Sequence, residues 1–156
     1  MLRVLRPTFL RRALTNIDKA EFVQLSADPN VVVIDVRDIN EVKGGTIPAA
    51  NWNHIALDEF PDLEGLNDKN FELLFDFPKP KNDQKVVFYC MSGRRSHRAA
   101  NMWETFYKSD NGYNYTGTLY ASIDNKYVLG GWKEWNESWG EPEWKKWSQA
   151  TGFPLA

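Results

Sequence analysis

Two apolar runs rich in β-branched residues constrain this chain more than any other feature: "VVVIDV" at 31–36 and "KVVFY" at 85–89. A strand with one face in water alternates apolar and polar side chains. These runs do not alternate, so each must be covered on both faces, as in a parallel sheet. The segments around them supply the covers. Residues 15–27 read as a helix with Ile17, Phe22 and Leu25 as contacts and Thr15 or Asn16 as its cap, ended by Pro29 and Asn30. "RDINEVKGG" turns out of the first run through a short helix or bend, and "TIPAANW" (46–52) reads as a second, shorter strand. Helical pieces are expected at 55–60 and 69–76, the latter carrying Phe71, Leu74 and Phe75 at i, i+3 and i+4, with a loop at 78–84. After the second run, a helix over 96–108 offers Ala99, Ala100, Met102 and Trp103 for packing. A polar, Tyr-rich connector at 109–125 precedes a late strand at 126–129. The reading is one α/β domain, a mostly parallel central sheet flanked by helices.

Charge is uneven along the chain. Residues 1–14, "MLRVLRPTFLRRAL", carry four arginines and no acid, with Leu2, Leu5 and Phe9 able to share a helical face. This is the pattern of a mitochondrial targeting segment. The other reading is a flexible basic arm on a cytoplasmic protein, which Pro7 favours. Without those arginines the chain holds 15 basic and 21 acidic side chains, a balance against generic nucleic-acid binding. No apolar run approaches membrane-spanning length, so no membrane partner is expected.

Cys90 is the only cysteine and there are two histidines, so an internal disulfide is impossible and a protein-only zinc site is not expected. Cys90 ends the second apolar run and opens a tight loop, Met91, Ser92, Gly93, Arg94 and Arg95, into a helix. Sites in open α/β sheets gather at such strand ends. Gly93 can turn backbone amides inward to form an anion-binding nest, the helix start adds partial positive charge, and Arg94 and Arg95 add full charges. All three favour thiolate over thiol, and hence a reactive cysteine over a buried inert one.

Several motifs occur in an order that resembles the single-domain rhodaneses, or sulfurtransferases. "DVRDINEVKGGTIPAANWNHI" is similar to that family's D-V-R…G-H-I-P-x-A-x-N pattern through Asp35, Arg37, Glu41, Gly45, Ile47, Pro48, Ala50 and Asn53. "CMSGRRS" matches its active-site loop and "LGGWKEW" its closing element. "FELLFDFPKPKNDQKVVFYC" further resembles the small thiosulfate sulfurtransferases, and the likeness spans about 15–136. The C-x4-R spacing of Cys90 to Arg95 is that of the sulfur-transferring branch, whereas the related phosphatases resemble C-x5-R.

The resemblance implies a rhodanese-like fold over 15–138 and ping-pong transfer of sulfane sulfur through a Cys90 persulfide. The catalytic residue would be Cys90. Met91, Ser92, Gly93, Arg94 and Arg95 would bind substrate, and Asp35 and Arg37 would support them. The donor would be thiosulfate or a similar small molecule. With no second cysteine to resolve the persulfide, the acceptor would be an external thiol such as glutathione, a protein thiol, or cyanide in the laboratory. No cofactor and no metal are needed. A sulfur-relay module without turnover is the alternative, and a phosphatase or arsenate reductase is disfavoured by loop size. Thr46 stands where the family has His.

Other residues fall to plainer roles. Arg37 is expected to pair with Glu41 at the turn rather than lend field to the pocket. His97 is expected on a helix surface, and His54 shows no evident partner. The connector at 109–125 reads as a loop with no role, or as a place where Tyr113, Tyr115 and Tyr120 shape the active-site mouth. Trp132, Trp135, Trp139, Trp144 and Trp147 crowd the C-terminal part among Lys and Glu. Their spacing of three and four suits a helical stripe, so 139–156 is expected as an extension packed on the domain.

Overall fold

The computed structural model describes residues 14–116, 131, 132 and 135. In chain order the elements are β1 (Thr15–Ile17), α1 (Lys19–Ser26), β2 (Val32–Asp35), α2 (Ile39–Lys43), β3 (Trp52–His54), a 3-10 segment (Leu57–Leu63), α3 (Asp68–Phe75), β4 (Val86–Tyr89), α4 (Arg94–Tyr107) and β5 (Gly112–Tyr115). The five strands form one parallel sheet in the order β1-β5-β4-β2-β3.

Side-chain alternation explains the two apolar runs. Val32, Ile34, Val36, Val86, Phe88 and Cys90 face one layer, where Phe60, Leu63, Phe71, Ala99, Ala100 and Trp103 cover them. Val31, Val33, Val87 and Tyr89 face the other, against Ile17, Phe22, Ile47, Tyr115 and Trp135. Every residue of β2 and β4 is buried, so neither face tolerated a polar alternation.

The structure corrects several local expectations. Thr15–Ile17 is not the start of a helix but an edge strand, because it pairs with 113–115 across the sheet. The helix begins after Asp18, whose carboxylate accepts from Glu21 N–H at 2.9 Å while Glu21 accepts from Asp18 N–H at 3.0 Å, a reciprocal cap. The strand read at 46–52 lies further on, at Trp52–His54, where the register against Val33–Asp35 begins. Helix α3 buries Phe71 but leaves Leu74 56% exposed, so the expected stripe is narrower. Helix α4 starts at Arg94, ahead of the expected 96. The connector contains β5, with Tyr115 buried and stacked on Phe22 at 4.5 Å, so Tyr115 is core and not part of a mouth. Tyr113 is half-buried, whereas Tyr120, the strand read at 126–129, residues 1–13 and the 139–156 extension lie outside the described residues.

This topology positions the site. The connection from β2 runs outward to β3, while that from β4 runs the other way to β5. The C-terminal ends of β2 and β4 therefore flank a switch point, where a crevice opens between diverging loops.

Candidate active site

Cys90 is the first residue beyond β4, and strand parity points its side chain toward α4, where it is 1% exposed. The chain then turns through Met91, Ser92 and Gly93 into α4, which begins at Arg94. The Gly93 N–H donates to Cys90 Sγ at 3.1 Å. Two features make glycine necessary there: its φ is +90°, and a Cβ would sit 3.1 Å from Thr116 Cα at the end of β5. Helix α4 thus starts directly under the sulfur, and its free N-terminal amides favour negative charge.

A buried polar chain braces this loop from below. The Ser96 hydroxyl lies 3.5 Å from Cys90 Sγ and donates to Asn114 Oδ1 at 2.6 Å. Asn114 Nδ2 donates to Gly93 O at 3.2 Å and to Asn16 Oδ1 at 3.1 Å. Asn114 is fully buried, and it couples β1 and β5 to Gly93, the residue whose N–H faces the sulfur. Sequence reading missed it, since "GYNY" gives no sign that its asparagine faces the cysteine loop. From above, the Trp132 N–H donates to Cys90 O at 2.8 Å. Gly131, with φ +59°, packs so closely that a Cβ would collide with the Cys90 carbonyl.

The charged residues are arranged differently from expectation. Arg37 does not pair with Glu41. It is fully buried, holds Asp35 at 3.0, 3.2 and 2.7 Å, and donates to Gly45 O at 2.7 Å. Burial pulls the Arg37 pKa down, but its hydrogen bonds and attraction to Asp35 outweigh this, and the net shift is upward. Its guanidinium lies 4.8 Å from the Trp132 ring, so Asp35 and Arg37 support the Trp132 side chain. Arg37 also fixes His54, whose Nε2 is 2.8 Å from Arg37 O; His54 therefore has a partner after all.

Glu41 instead binds Arg95 from another element, with both guanidinium–carboxylate contacts at 2.7 Å. The Arg95 hydrogen bond holds the Glu41 pKa below the usual carboxylate value, and the same contact raises that of Arg95. The pairing is long-range, so local spacing could not reveal it. Arg94 is exposed, Met91 and Ser92 are half-buried, and His97 is exposed on α4. The Tyr89 hydroxyl accepts from Ile47 N–H at 3.2 Å and Trp52 Nε1–H at 2.9 Å, and burial raises its pKa.

This geometry can hold negative charge on sulfur: an amide and a helix start face Sγ, and Arg95 stands beside it with its position fixed by Glu41. Fold and loop together define a class, the parallel α/β domains that cradle a thiol between the end of a central strand and a helix. A model of the rhodanese-like domain matches residues 18–138. The thiosulfate:glutathione sulfurtransferase of Saccharomyces cerevisiae is 35% identical over 104 residues, 67% of this chain and 69% of that one. The mitochondrial thiosulfate sulfurtransferase RDL2 of the same yeast is 31% identical over 100 residues, 64% of this chain and 62% of that one. Among solved structures, the human single-domain sulfurtransferase TSTD1 matches with a TM-score of 0.57 at 25% identity, covering 74% of this chain and 100% of that one. The chain belongs to the rhodanese-like domain family and is an enzyme of its sulfurtransferase class.

Proposed function

We propose that this enzyme moves sulfane sulfur from thiosulfate, or a similar small donor, through a persulfide on Cys90 to an external thiol. Two relatives named as thiosulfate sulfurtransferases, one with glutathione in its name, support the substrates. The observation that carries the mechanism is the Gly93 N–H aimed at Cys90 Sγ over the start of α4. In the first half-reaction the Cys90 thiolate attacks the outer sulfur of thiosulfate. The donor's S–S bond breaks, sulfite leaves with the electron pair, and a Cys90 persulfide anion remains. Met91, Ser92 and Gly93 line the loop that receives the donor, and exposed Arg94 is placed to attract its sulfonate end. An acceptor thiol then attacks the outer persulfide sulfur, that S–S bond breaks, and Cys90 departs as thiolate while the acceptor keeps the sulfur. No cofactor or metal takes part in this scheme.

The commitment of Arg95 to Glu41 disfavours a phosphatase, which needs that arginine free to clamp phosphate. We also propose a mitochondrial location, on the basic 1–14 segment and the name of one relative. The decisive experiment follows sulfite release from thiosulfate, with glutathione or cyanide as acceptor, for wild type and Cys90→Ser. Turnover that vanishes in the folded variant is the expected result. A folded wild type that binds sulfur once but never turns over would point to the relay module instead.

A further inference from the structure

A cleft of about 410 Å³ opens beside the cysteine loop, lined by Val36, Asp38, Leu57, Asp58, Arg95, Arg98 and Met102 among others. Its size falls within the roughly 300–1,000 Å³ of small-molecule sites. It lies at the switch point, since the Val36 N–H donates to Tyr89 O, the carbonyl immediately before Cys90, at 3.0 Å. Arg95 joins the two places: it lies in the first turn of α4, just past the cysteine loop, where its charge acts on the thiol, and it lines the cleft.

The charges in this cleft are segregated by element. Arg95, Arg98 and Met102 recur at i, i+3 and i+7 on one face of α4, so this wall is basic with an apolar end. Asp38, capping α2, and Asp58, in the first turn of the 3-10 segment, make the facing side acidic. Val36, Ala56, Leu57 and Pro61 supply an apolar surface between them. Arg95 is held by Glu41, and Asp38 accepts from Asn40 N–H. Arg98 and Asp58 have no ion-pair partner among the described residues, so their charges are available to a ligand. A simple anion would meet two aspartates there, and a simple cation two arginines. The complement is a molecule that carries both charges on a short body.

We propose that this cleft is the acceptor subsite, and that it selects small thiols of the amino-acid or peptide type. Arg98 takes a carboxylate, Asp58 takes the ammonium, and the thiol is directed past Arg95 toward the Cys90 persulfide. The inference rests on the sulfurtransferase reading above and adds the residues that choose the acceptor. In the transfer step the acceptor thiol gives up its proton and attacks the outer persulfide sulfur. The Cys90–sulfur bond breaks as the new S–S bond forms, so no outside oxidant or reductant is required.

The test compares acceptors with thiosulfate fixed as donor, in wild type, Arg98→Ala and Asp58→Ala. Glutathione carries both charges, 3-mercaptopropionate only the carboxylate, cysteamine only the ammonium, and cyanide fits no subsite. The expected result for each variant is a fall of about tenfold in the ratio of kcat/KM for glutathione over that for cyanide, the size of one partly exposed charged hydrogen bond. Arg98→Ala should also weaken use of 3-mercaptopropionate but not of cysteamine, and Asp58→Ala the reverse. Both side chains are at the surface, so folding is expected to survive, and circular dichroism checks it. Ratios unchanged in both variants overturn the acceptor subsite while leaving the sulfurtransferase reading intact. Absence of turnover with every acceptor, cyanide included, in folded wild type overturns that reading as well.

Discussion

Replacing Gly93 by alanine should damage both the stability and the chemistry of this enzyme, and the two effects can be separated. The first cost is conformational. Gly93 has φ +90°, where an L-residue is disfavoured by about 1–2 kcal/mol. The second is contact, since the new Cβ would lie 3.1 Å from Thr116 Cα and 3.5 Å from Tyr115 O. Both are backbone atoms of the β5 end, so the loop must move rather than a side chain. Together these give a loss of about 2–3 kcal/mol, within the range for strained backbone sites, and a fall in melting temperature of roughly 5–10 °C for a chain of this size. The movement also withdraws the N–H that donates to Cys90 Sγ. Losing one such donor costs about 100- to 1,000-fold in turnover where it is removed outright. A displaced donor retains part of its effect, so a decrease of about 10- to 100-fold in sulfite release is expected. Gly65→Ala is the control: its φ is +79°, yet nothing lies within 4 Å of the added Cβ, and it sits between the 3-10 segment and α3 rather than in the cysteine loop. It should lose only the conformational part, about 1–2 kcal/mol, with unaltered turnover. Urea denaturation and sulfite release measure the pair. If Gly93→Ala matches Gly65→Ala in both readouts, neither the close approach to β5 nor the amide–sulfur contact matters, and the reasoning fails.

Two further outcomes follow from the paired charges. Asp35→Asn strands Arg37 as a fully buried cation whose Nη1 already has no hydrogen-bond partner among the described residues, so urea denaturation should show a loss of about 3–5 kcal/mol. Glu41 has its pKa lowered from 4.5 by Arg95, so its contribution is present above that value and fades as pH falls through the lower folded value. The stability gap between wild type and Glu41→Gln should therefore be largest near neutrality, at about 1 kcal/mol or less for a partly exposed pair, and should close on acidification. A gap that widens below pH 4.5 would reverse the assigned sign.

The sequence by itself determined what depends on neighbouring residues. The runs at 31–36 and 85–89 read as strands covered on both faces because they lack polar alternation, and residues 31–36 and 86–89 are buried throughout. The glycine turn after Cys90 and the helix following it were legible for the same reason, as local backbone requirements. Tertiary structure decided whatever required partners distant in sequence. Thr15–Ile17 became strand instead of helix because 113–115 offered it a ladder, and a three-residue propensity cannot compete with that pairing. Arg37 turned to Asp35 and left Glu41 to Arg95, 54 residues away, because the ends of β2 and β4 meet at the switch point. Asn114 reached the cysteine loop because β5 lies beside β4, an adjacency set by the crossover and not by composition. The reactive atom could thus be named from the sequence, while the groups that hold it in place needed the fold.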